Sequence, residues 1–290
     1  MRRSPVQLAI QLTVYVALFF VSGMMFGWAL SSLGYLVAMI GTSFAAATFA
    51  NWLSLRIFEG RHLIDAGLWW NRASGENLLI GLVGGAGSAA LVLAPPLLFR
   101  AARLTAASGE RPTFGSFVFV ALLLLAGVFG EEFLFRGYGF QILLAGRPPW
   151  GPILAVGALF AILHDANPNA TWFGVANTFG FGVLFGYAYL RSRDLWLPVG
   201  LHFGWNLTLP LFGVNLSGLR INVTGCEMTW TAGPLWSGGA YGPEASVLAT
   251  GVLLVLAVYL WKAPIRRQRS PITDPPVENA VCEPSRPLHS

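Results

Sequence analysis

Apolar residues run through this chain in stretches too long for the core of a soluble domain, and polar residues fall between the stretches rather than alternating within them. A hydrocarbon layer of roughly 30 Å takes about 20 residues of helix to cross. Stretches of that order occupy 6–30, 33–58, 78–99, 114–145, 150–164, 172–190, 195–212 and 245–261. Backbone N–H and C=O groups in lipid must be bonded within their own segment, so each stretch predicts a transmembrane helix. The expected fold is therefore all-α: a polytopic bundle of about eight spans filling residues 1–263. Past it the chain turns rich in Pro, Arg and Ser with no apolar period, which predicts a disordered tail over 264–290. Glycines four apart at Gly81/Gly85, Gly182/Gly186 and Gly200/Gly204 predict close helix contacts.

Composition supports this picture. Hydrophobic residues make up 55% and charged residues 11% of the 290 positions, and the mean hydropathy is +0.61. The net charge of +5 does not signal nucleic acid, because the basic residues sit in short runs beside apolar stretches rather than in a groove pattern. They orient the bundle instead. An even number of spans puts both termini on one side, together with Arg2, Arg3, Arg56, Arg61, Arg72, Arg147, Arg191, Arg193, Lys262, Arg266, Arg267 and Arg269. The positive-inside rule makes that side cytoplasmic. Arg100, Arg103, Arg111 and Arg220 are the exceptions.

Six polar residues interrupt the apolar stretches: Glu131, Glu132, Arg136, His164, His202 and Asn206. A charge at a helix centre costs roughly 2.5–3.5 kcal/mol on insertion scales, so these groups must face one another or a wet cavity. Glu132 and Arg136 are spaced to pair on one helix face, with the acid first. Glu131, about 100° around the helix, is left to face a cavity as a proton acceptor. His202 and Asn206 share a face of the seventh span and can aim donors at one oxygen. If 114–145 is one helix, His202 lies roughly 10 Å shallower than Glu131 and His164.

At these residues the chain resembles the type II CAAX prenyl endopeptidases and their bacterial relatives, the Abi or CPBP intramembrane proteases. The family signature is Glu-Glu-x-x-x-Arg, Phe-x-x-x-His and His-x-x-x-Asn on separate helices. Here the motifs read EEFLFR from Glu131 to Arg136, FAILH from Phe160 to His164 and HFGWN from His202 to Asn206. The resemblance covers about 114–212. It implies that Glu131 and His164 activate water, that His202 and Asn206 stabilise the oxyanion, and that Glu132 and Arg136 support them.

The expectation is a multi-pass integral membrane protein, in the cell membrane if the host is bacterial. It would hydrolyse a peptide bond of a membrane-associated protein, with a prenylated CAAX peptide as one candidate, admitted from the cytoplasmic side or laterally from lipid. Metal-free water is the expected nucleophile. Zinc on Glu131, His164 and His202 is the alternative, although no HExxH helix favours it. A proton-coupled transporter and a non-catalytic immunity or binding protein of the same fold are the rival functions.

Overall fold

The computed structural model describes residues 3–107 and 112–274. They form a helical bundle: α1 (Pro5–Leu30), α2 (Tyr35–Ser54), α3 (Arg72–Leu98), α4 (Phe114–Arg136), α5 (Tyr138–Leu144), α6 (Trp150–His164), α7 (Trp172–Ser192), α8 (Trp196–Leu211), the short α9 (Pro234–Ser237) and α10 (Val247–Lys262). Five segments are long and apolar enough to cross a membrane, Pro5–Leu33, Tyr35–Glu59, Arg72–Leu98, Phe114–Leu144 and Trp172–Ser192, with α6 and α10 apolar but shorter. The chain is a multi-pass membrane protein. Many of its largest exposed side chains are apolar, such as Trp28, Leu79, Leu122 and Leu254, as a lipid-facing surface requires.

The tightest helix pair is α3 with α8, and the glycines anticipated from sequence make it so. A Cβ on Gly81 would come within 2.4 Å of the Leu197 carbonyl oxygen, and one on Gly204 within 2.6 Å of that of Leu82. The Gly182/Gly186 pair works likewise, with Gly182 against Gly157 and Gly186 against Ile153 on α6.

Two features bind the ends of the bundle. At the end away from Pro5 and Lys262, strand β1 (Ala102–Ala106) pairs antiparallel with β2 (Cys226–Trp230), joining the α3–α4 and α8–α10 loops. At the other end, residues 264–274 correct the expectation of a tail disordered from 264. Asn77 Nδ2 donates to the Arg266 carbonyl (2.8 Å), and the Arg266 N–H donates back to Asn77 Oδ1 (2.9 Å). Gln268 donates to buried Asp194 and accepts from Trp69 Nε1. The polar groups that open α3 and join α7 to α8 thus find partners in the tail, which composition alone could not show. Arg111, Cys282 and the remainder of the tail lie outside the described residues.

The predicted 114–145 helix is also corrected. It breaks at Gly137, between α4 and α5. Asn51, fully buried on α2, causes the break: its Nδ2 donates to the Phe133 carbonyl (2.9 Å), and its Oδ1 accepts from the Tyr138 N–H (2.6 Å). Tyr15 donates to the Phe133 and Leu134 carbonyls, both at 3.0 Å. Only glycine fits at 137, since a Cβ would lie 2.2 Å from both Asn51 Oδ1 and the Phe133 oxygen.

Candidate active site

The break sets the depth of the polar residues. With α4 ending at Arg136, Glu131 is about 7.5 Å from its helix end, and His202 is about 9 Å from the start of α8 at Trp196. The mismatch of roughly 10 Å between Glu131 and His202 expected from one unbroken helix disappears.

Glu132 and Arg136 pair as their spacing predicts, at 3.1 Å with no side-chain exposure. Arg136 also donates to the Gly182 carbonyl (2.9 Å) and lies over the rings of Phe135, Phe160 and Phe185 at 5.0–5.6 Å. The pair does more than neutralise itself, because Glu132 Oε1 also accepts from His202 Nδ1 at 2.9 Å. We expect Arg136→Leu to cost about 3–5 kcal/mol, since it strands a buried carboxylate. Thermal unfolding in detergent measures this. Glu132→Leu/Arg136→Leu should be milder in stability yet free the His202 ring, and equal stability of Arg136→Leu and wild type would refute the pairing.

Glu131, His164 and His202 converge. Glu131 Oε2 stands 3.9 Å from His164 Nε2 and 3.8 Å from His202 Nε2, and hydrogen-bonds to no protein group. A carbonyl can only accept, so the 2.7 Å contact of His164 Nδ1 with the Phe160 carbonyl puts a proton on Nδ1. The Glu132 carboxylate does the same for His202. Both rings therefore turn Nε2 toward Glu131. Phe160 lies 4.3 Å from the His164 ring, and Phe185 stacks on His202 at 4.8 Å. Asn206 lines the cavity that these groups share, a volume of about 430 Å³.

Sequence reasoning missed Glu244. It closes the α8–α10 loop onto this cavity, where Ser217 donates to it through N–H and hydroxyl and Trp205 Nε1 donates at 3.3 Å. Burial raises its carboxyl above the usual range, opposed by the Ser217 and Trp205 hydrogen bonds. The signal in the chain was faint: one acid, two residues before the Ser246 cap of α10.

Two imidazoles and a carboxylate are donors that suit zinc, whose bonds of roughly 2.0–2.2 Å place tetrahedral ligands about 3.3–3.5 Å apart. The 3.8 and 3.9 Å separations are wider. Among the described residues no three His, Cys, Asp or Glu form a metal-ligand group.

The fold and the site define a class: a multi-pass membrane protein with a carboxylate–imidazole cluster walled in by its helices. Residues 113–208 match the Rce1-like family, described as type II CAAX prenyl endopeptidase Rce1-like. The matched segment makes up about a third of the chain. It runs from the start of α4 into α8 and contains all seven signature residues of the three motifs. The chain is also 30% identical over 114 residues to the uncharacterized protein YyaK of Bacillus subtilis (strain 168), a match that spans 37% of this chain and 37% of YyaK.

Proposed function

We propose that this protein is an intramembrane endopeptidase that cleaves a peptide bond of a membrane-associated substrate, with all eight apolar stretches crossing the bilayer and both termini on one side. One observation carries the reading: an unpartnered Glu131 oxygen facing two imidazole Nε2 atoms at distances that one bridging oxygen closes. Water held there gives a proton to Glu131, assisted by His164, and its oxygen attacks the scissile carbonyl carbon. Asn206 Nδ2 and His202 Nε2 donate to the oxyanion. His202 can donate at Nε2 only when its ring carries both protons, the one on Nδ1 being held by Glu132 Oε1. As the C–N bond breaks, the proton on Glu131 passes to the leaving amine.

The test is hydrolysis of a peptide panel, farnesylated C-terminal peptides included, by the purified protein in lipid. Turnover should require Glu131 and His164, and cleavage that survives Glu131→Ala and His164→Ala would overturn the site. We further expect full activity with a strong zinc chelator present. Loss on chelation and recovery with zinc would instead make Glu131, His164 and His202 ligands. No cleavage of any peptide, with an in-cell phenotype that survives Glu131→Ala, would leave a binding protein.

A further inference from the structure

We propose that the site is reached from the extracytoplasmic face, and that its substrate is a membrane-anchored polypeptide whose cleavable segment emerges on that face. This rests on the hydrolase reading above for its chemistry, and on three independent observations for its direction.

The cavity runs away from the end that carries Pro5 and Lys262. From Glu131 its lining passes Gly127 and Leu123 on α4 and Met39 and Tyr35 on α2, and reaches Pro168 and Leu219 in loops at the far end. These last two belong to the α6–α7 loop and the α8–α10 loop, the latter tied by β2 to the α3–α4 loop.

The other direction is closed. Between Glu132 and the end that carries Pro5 and Lys262 lie Arg136, Tyr138, Gln141, Tyr189 and Leu195, each with 0% exposure. Gln141 donates to the carbonyls of Ala66 (2.7 Å) and Arg136 (3.0 Å), and Ser270 of the docked tail meets the Tyr189 hydroxyl at 3.4 Å. A peptide arriving from that side meets a packed layer.

Charge then assigns the two ends. Of the described basic residues outside the helix interiors, Arg100, Arg103 and Arg220 stand at the open end, and Arg220 is paired with Glu227 at 2.7 Å. The others named in the sequence analysis stand at the closed end, with Arg3 and Glu59 joined there at 2.7 Å. A Lys/Arg excess marks the cytoplasmic side, so the open end is extracytoplasmic. Its rim is apolar, with Tyr35 71%, Leu163 51% and Met39 40% exposed, so a lipid-anchored or transmembrane substrate can lie against it from the outer leaflet. A prenylated cytoplasmic C-terminus would instead arrive at the closed end.

The test has two arms. In the first, single-cysteine chains in spheroplasts meet a membrane-impermeant maleimide: native Cys226, exposed on β2, with Cys282→Ser, then Ala166→Cys and Ile64→Cys, each with Cys226→Ser/Cys282→Ser. Cys226 and Ala166→Cys should label fully without permeabilisation and Ile64→Cys only after it. The reverse pattern overturns the proposal. In the second arm, a membrane-anchored reporter displays the same cleavable segment on either face. Cutting of the outward display alone, abolished by Glu131→Gln, is expected. Cutting of the inward display overturns the access route even if labelling is as expected. If neither display is cut, the hydrolase reading and the substrate fail together, and labelling alone still decides which face the cavity opens on.

Discussion

Glu131→Gln is expected to reduce peptide hydrolysis by about 10²–10⁴-fold, the range that a positioned general base contributes. The amide keeps the shape of the side chain and removes only the proton-accepting charge. Glu131 Oε2 has no protein hydrogen-bond partner to lose, so expression, detergent extraction and thermal unfolding should match wild type. That separation of activity from stability is what distinguishes a base from a structural carboxylate. Glu132, one residue along, should show the opposite profile, because it holds Arg136 and His202 with no exposure of its own. Single-turnover assays on a fluorogenic peptide in lipid read the first effect. A Glu131→Gln enzyme with more than about a tenth of wild-type turnover would remove Glu131 from the base role, since general-base removal costs on the order of 10² or more.

Gly85→Leu is expected to prevent accumulation of the folded protein. An added Cβ there would sit 1.9 Å from the Leu201 carbonyl oxygen and 2.9 Å from the Trp205 nitrogen. Both are backbone atoms and cannot rotate away, so α8 must move as a body. Overpacking typically costs about 1–3 kcal/mol and rises when backbone has to shift. The contacted atoms adjoin His202 and Asn206, so any protein that does fold should also be inactive. Gly87→Ala, two residues along the same helix, is the control, because a Cβ there meets nothing within 4 Å. Membrane yield and melting temperature check both variants. Wild-type behaviour of Gly85→Leu would mean that α3 and α8 do not pack this way.

What the sequence made legible was local. Long apolar runs announced helices, glycines four apart announced the α3–α8 contact, and three motifs announced residues that the fold does bring together. What stayed hidden depended on distant partners. Nothing in 114–145 marks Gly137 as a break, because the groups that satisfy it come from Asn51, 87 residues before Tyr138. The same holds for Glu244, which reads as a loop acid until Ser217 and Trp205 fold over it. Residues 264–274 have the composition of a free tail and are held by Asn77 and Asp194, which lie far upstream. The Glu132–Arg136 pair was legible, while its hold on His202 was not, since only the fold places α8 beside α4.

The packing of α6 bears on how the site is assembled. This helix lies along α7 through the Gly157–Gly182 contact, and it meets α4 through the rings of Phe135 and Phe160, 5.0 Å apart, and through His164 facing Glu131. His202, by contrast, is locked to α4 by Glu132 and to α3 by the glycines of α8. The two imidazoles therefore sit on different helices, each braced against α4 through its own contacts. A substrate chain entering between α4 and α6 would meet His164 and Glu131 first, with the Glu132–His202 bond buried behind them. Under the proposed hydrolase function, catalytic competence would then depend on what occupies the cleft, and selectivity would be exercised in the geometry of activation as well as in affinity.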